Sequence, residues 1–203
     1  MNIERRQLPL DVELRQDHDK PKIVGHAAVF DKPADIWGFR EVIRRGAFLD
    51  AIKKDDVRLL LNHDPNFVLG RNKSKTLTLG EDDVGLAIEN DPPDTQWAKD
   101  LQISMSRGDI SQMSFGFIVE EEKWTNGKDQ EPDLREILKA RLFDVSVVTY
   151  PAYEETDAQV RALRNAPQEI KDKVSNGGQG APEEVDAELD QVRKLKHMKM
   201  KIL

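Results

Sequence analysis

Residues 110–119 read ISQMSFGFIV, and Met113, Phe115, Phe117 and Val119 alternate with Ser114, Gly116 and Ile118. A two-residue period of this kind predicts a half-buried strand whose apolar side faces a core. The other side carries Ser114 and Gly116. A glycine inside a strand weakens it and marks a place where something comes close to the backbone. The Ser114 hydroxyl is therefore expected to be packed from behind, with Gly116 clearing space in front. Ser111, odd-numbered like Met113, falls on the apolar side of a regular strand.

The flanks extend this reading. Upstream, DTQWAKDLQISMSRGD predicts a helix with Asp94 as N-cap, an apolar stripe of Trp97, Leu101 and Met105, and Gly108 as its stop. Downstream, the polar stretch EEEKWTNGKDQEPD precedes two strand candidates within REILKARLFDVSVVTYPA. Earlier strands are expected at Leu8–Arg15, Ile23–Phe30, VRLLLNHD, Thr76–Leu79 and Val84–Glu89, the last two as a hairpin through GEDD. A short helix is expected over Phe48–Lys54, after a loop-like segment with Pro33 and Gly38 as breakers. Some seven or eight short strands with few helices favour a mainly β barrel or sandwich, with the helices outside.

The character changes after Tyr153. EETDAQVRALRN suits a surface helix, SNGGQGAP at 175–182 a flexible linker, and EEVDAELDQVRKLKHMKMKIL a terminal helix. That last segment is acidic at its start and basic at its end, as a helix dipole favours. A domain over 1–165, a linker over 166–182 and a helical tail over 183–203 are expected.

The chain has 203 residues, no cysteine and a net charge of −7. The missing cysteines exclude disulfides, thiol nucleophiles and thiolate-ligated zinc. The acidic balance disfavours general attraction to nucleic-acid phosphates or anionic lipid. No apolar run approaches the ~18 residues of a membrane helix, so a soluble protein is expected.

Of four histidines, His18 lies in a polar loop, His197 in the basic tail and His26 in the strand segment GHAAVF. His63 ends the apolar strand of LLLNHD, anchored by a rigid element yet close to a polar edge. A serine hydroxyl is a poor nucleophile without a base. An imidazole, with an ordinary pKa of about 6.5, can take and return its proton. That base needs an orienting partner, usually a carboxylate. In LFDVSVVTYPA, Asp144 sits among apolar neighbours, where a carboxylate is costly unless paired. Its structural partner would be Arg141 or Arg135; its functional partner would be His63.

GHAAVF, LLLNHD, ISQMSFGF and LFDVSVVTYPAY, in that order, resemble the tailed-phage prohead (head maturation) proteases, a family related in fold to the herpesvirus assembly proteases. The likeness covers roughly residues 1–165, and the combination of segments is specific where each alone is weak. It implies a closed β-barrel of the herpesvirus-protease type ringed by helices. It implies a serine endopeptidase, acting inside the assembling prohead in the host cytoplasm, on scaffold or the scaffolding segment of the major capsid protein, and on itself. Carried over, Ser114 is the nucleophile, His63 the general base and Asp144 the residue that orients His63. Asp64, Asp109 and Glu120 are alternatives for the third position, and Ser111 for the nucleophile. No metal or organic cofactor is called for, and neither nucleic acid nor membrane is an expected partner. A homo-oligomer stays open. Two rival classes are a non-enzymatic assembly factor with the same barrel and a metallohydrolase using His63, Asp64 and a remote acid.

Overall fold

The computed structural model describes residues 3–17, 20–36, 38–128, 131–150 and 167–168. Chain contacts divide the molecule into residues 1–165 and 166–203. The helix expected over EETDAQVRALRN, the 175–182 linker, the tail helix, His18 and His197 lie outside the described residues.

Among the described residues there are eleven strands and two α-helices. They are β1 (Glu4–Asp11), β2 (Glu13–Asp17), β3 (Lys20–Val29), β4 (Ala34–Ile36), β5 (Phe39–Ile43), α1 (Leu49–Lys54), β6 (Arg58–Leu61), β7 (Asp64–Arg71), β8 (Leu77–Glu81), β9 (Gly85–Asn90), α2 (Gln96–Ser106), β10 (Gln112–Thr125) and β11 (Asp133–Val148). A seven-stranded sheet runs β1-β10-β11-β5-β4, with β6 on β11 and β7 on β6; a four-stranded sheet runs β2-β3-β9-β8. The protein is mainly β with few helices, as expected, but with more strands.

The quoted stretch is the middle of the larger sheet. Met113, Phe115 and Phe117 are fully buried in a core shared by both sheets, α1 and α2. Phe115 stacks on Phe117 at 5.0 Å and meets Phe48 edge-on at 5.8 Å. Truncating such a ring typically costs ~3–5 kcal/mol.

Several elements differ from expectation, each for a local reason. The strand expected over Leu8–Arg15 is two strands in different sheets. The chain turns a corner at buried Val12, whose N–H donates to the Ser111 carbonyl at 2.8 Å. The loop-like segment before Phe39 holds β4, which pairs with β5 across a two-residue turn where Gly38 supplies a φ of 84°. The α2 helix starts one residue later than predicted, with Thr95 at the N-cap, while Asp94 pairs with Lys99 at 2.5 Å. The two strand candidates after residue 134 are one 16-residue strand, β11.

That strand explains the placement of the site. Its first part pairs in parallel with β5 and its last part with β6 on the same edge. Between them, the buried Asp55 carboxylate accepts from the Leu142 N–H at 2.9 Å, closing the gap in the ladder. The chain therefore returns through α1 and lays β6 beside Asp144–Val147, carrying His63 just beyond its end.

Candidate active site

His63 rides on a hairpin. Leu61 pairs with Asp64, leaving Asn62 and His63 as the two turn residues. Their φ angles are 53° and 56°, the left-handed pair of a type I′ turn. Asparagine suits that conformation, and here its side chain is also a clamp. Asn62 Nδ2 donates to Thr149 Oγ1 at 3.0 Å, the Thr149 N–H donates back to Asn62 Oδ1 at 2.8 Å, and the Asn62 N–H reaches the Val147 carbonyl at 2.9 Å. The imidazole is thereby fixed against the end of β11.

The turn aims the ring at both long strands. Ser114 Oγ lies 2.6 Å from His63 Nε2, and Asp144 Oδ1 lies 2.5 Å from His63 Nδ1. A carboxylate only accepts, so Nδ1 carries the proton and Nε2 is left to accept from the Ser114 hydroxyl. The three residues, 51 and 81 positions apart from His63, meet in one hydrogen-bonded chain. Ser114 has no exposed surface, and His63 and Asp144 keep 10% and 13% of theirs.

Gly116 plays a part different from the expected one. It pairs with Asp144 across β10 and β11, and a Cβ there would stand 2.6 Å from Asp144 Oδ2. The notch that glycine opens is filled by the carboxylate rather than left open before Ser114. Ser146, which shares a face with Asp144 and pairs with Ser114, donates to Asp144 Oδ1 at 2.9 Å. In LFDVSVVTYPA Ser146 stands two positions beyond Asp144, one strand period, and that spacing is its signal in the sequence.

The alternatives are engaged elsewhere. Asp64 Oδ1 accepts from the Asn66 N–H at 2.8 Å, Asp109 pairs with Arg107, and Glu120 lies beside Lys139. Ser111 precedes β10 and gives its carbonyl to the Val12 corner. Arg141 pairs with Asp55, and Arg135 with Glu4, Glu41 and Glu122, so neither is the partner of Asp144. His26 bonds Asp82 at 2.8 Å on the smaller sheet. The Gly85 N–H and His26 hold that Asp82 carboxyl down at about 2. Among the described residues no group of three or more His, Asp or Glu side chains is arranged to hold a metal ion.

A family model described as caudovirus prohead serine protease matches residues 9–171. The chain belongs to that family. This prohead protease family member is accordingly a serine protease of capsid maturation. No curated protein matches the sequence. Among solved structures, that of the bacteriophage T4 capsid assembly protease, gp21, is similar with a TM-score of 0.45 at 12% identity, over 73% of this chain and 96% of that one. That likeness is too distant to transfer residues.

Farther along the same two strands the family member carries a second polar cluster. Arg135, fully buried, bonds Glu4 at 2.8 and 3.0 Å, Glu41 at 2.8 Å and Glu122 at 2.7 Å. Arg6 completes it with bonds to Glu41 at 2.6 and 2.8 Å and to Glu4 at 2.9 Å. Burial pushes the Glu41 carboxyl up, but Arg6 and Arg135 together outweigh it and hold the group below its ordinary value. The cluster ties β1 to β5, β10 and β11.

Proposed function

We propose that Ser114, His63 and Asp144 are the catalytic triad of a serine endopeptidase that cuts scaffold, or the scaffolding segment of the major capsid protein, within the assembling prohead, and also cuts itself. The observation that carries this reading is the unbroken chain Ser114 Oγ–His63 Nε2 and His63 Nδ1–Asp144 Oδ1, at 2.6 and 2.5 Å, in a chain of a serine protease family.

In the proposed mechanism Ser114 Oγ attacks the peptide carbonyl carbon as its proton passes to His63 Nε2. The imidazolium formed is stabilised by Asp144, which keeps the ring in the required tautomer and does not itself take the proton. His63 then delivers the proton to the leaving amine, and water, deprotonated by the same imidazole, releases the acyl-enzyme. Ser114 has no exposed surface, so a substrate carbonyl reaches it only after neighbouring chain moves aside.

The finer architecture belongs to the same proposal. Val12 joins the two sheets at one seam. At another, Asn90 Nδ2 on β9 donates to the Leu69 carbonyl on β7. These links support a closed barrel over 1–165; the linker over 166–182 and the helical tail over 183–203, which would hold the protease to scaffold or shell, are proposed from the sequence alone.

The second reading, a barrel that binds capsid protein without cutting it, is favoured by the full burial of Ser114. One experiment separates the two. The protein is co-expressed with its capsid and scaffold proteins, with and without Ser114→Ala, and new termini are mapped by mass spectrometry. The protease reading expects cleavage that disappears in the variant. Uncut partners with both proteins would contradict the protease reading.

A further inference from the structure

We propose that Ser146 is a positioning residue of this protease, whose buried hydroxyl fixes the Asp144 carboxylate against His63. The inference rests on the triad reading above and adds a residue to it. Ser146 is fully buried within the apolar run VSVV of β11, where a hydroxyl is costly unless bonded. Its Oγ donates to Asp144 Oδ1 at 2.9 Å, the same oxygen that His63 Nδ1–H addresses at 2.5 Å. Ser146 Oγ is also 3.2 Å from His63 Nδ1; as both are donors to Oδ1, this is a contact between neighbours converging on one acceptor.

The geometry removes the carboxylate's freedom to turn. Two donors hold Oδ1, and Oδ2 is seated in the Gly116 notch, where no Cβ could be accommodated without a shift. Rotation about the Cβ–Cγ bond would break both hydrogen bonds at once. Arg58, which pairs with Asp144 in the β6–β11 register, sends its guanidinium to Asp56 and leaves the task to Ser146. The hydroxyl also shares the charge that Asp144 presents to the ring. Without it, the imidazole faces the undivided charge and holds a proton to higher pH.

The test uses the full chain and a fluorophosphonate probe, which reacts with an activated serine and requires no known cleavage site. Labelling rate is followed against pH in wild type, Ser146→Ala, Ser146→Cys and Ser146→Thr. Cysteine nearly conserves volume while replacing the hydroxyl by a weak donor, so it serves if alanine does not fold. The expected result is about a tenfold slower rate in the Ala and Cys proteins. Their pH of half-maximal labelling moves upward, and Thr restores both rate and midpoint. Folded Ala and Cys proteins that label at the wild-type rate with an unmoved midpoint would overturn the positioning role. Labelling that persists in Ser114→Ala, or its absence in wild type, would instead defeat the triad reading itself.

Discussion

Two polar clusters sit on the same pair of strands, one toward each end, and they handle buried charge in opposite ways. In the first, Arg6 and Arg135 are interlocked with Glu4, Glu41 and Glu122 by short, repeated guanidinium–carboxylate contacts. Its charges are permanent, and each carboxylate already has an arginine beside it. In the second, a single carboxylate, Asp144, is held by an imidazole and a hydroxyl, and no arginine or lysine among the described residues bonds it. On the proposed mechanism its cation comes into being only when the Ser114 proton moves to His63. The first cluster is complete as folded; the second would be completed by the reaction. That difference is the physical reason one cluster fastens strands together while the other suits catalysis.

Asp144→Asn bears hardest on the contrast. The amide keeps the shape of the site but favours the wrong imidazole tautomer, and about a 10⁴-fold fall in turnover is expected, with little change in melting temperature. A turnover within a few fold of wild type would place the second cluster in the same structural class as the first.

The reciprocal substitution is Arg135→Met. It leaves Glu4 and Glu41 to Arg6 alone and takes from Glu122 its arginine, and a loss of ~3–5 kcal/mol in denaturant unfolding is expected, with the protein that remains folded still active. Unchanged stability would mean that the cluster does not hold β1.

Gly116→Ala sharpens the comparison at the notch. The new Cβ lies 2.6 Å from Asp144 Oδ2, so the carboxylate must swing away from its place beside His63. Misplacement on this scale lowers turnover by up to about 10²-fold, seen in kcat more than in melting temperature. Wild-type kcat would show that Asp144 has room to spare.

The smallest effect is in acid. The Glu41 carboxyl is held below its ordinary value of 4.5, so its contribution to stability is full above that pH. The contribution is lost as pH falls through the lower, folded value. The melting temperature of wild type is therefore expected to decline below that region. Glu41→Gln, less stable at neutral pH, should show a flatter decline. Parallel curves would remove Glu41 from the acid response.

What the sequence disclosed follows from the range of the forces involved. Alternation around Ser114 is local and placed the serine on its face, and the apolar run around Asp144, equally local, marked a carboxylate that needs a partner. The β11 strand read as two because Lys139 and Arg141 interrupt its apolar run, although β5 and β6 pair with the regions on either side. The β7 strand escaped notice because Pro65, Asn66, Phe67 and Val68 are exposed and show no core face. The ion cluster was illegible, since Arg135 and Glu4 are 131 residues apart and nothing local to either announces the other. Gly116 signalled a close approach, but only tertiary pairing could say that the approaching group is Asp144.

The central claim is that His63 makes the hydroxyl at 114 reactive. The most direct measurement is to label the full chain with a fluorophosphonate, digest with trypsin and sequence the 108–123 peptide by fragmentation, since that peptide holds both Ser111 and Ser114. The account predicts the adduct on Ser114, with labelling abolished by His63→Ala in a protein that still folds. An adduct on Ser111, or labelling of Ser114 that survives without the imidazole, would contradict it.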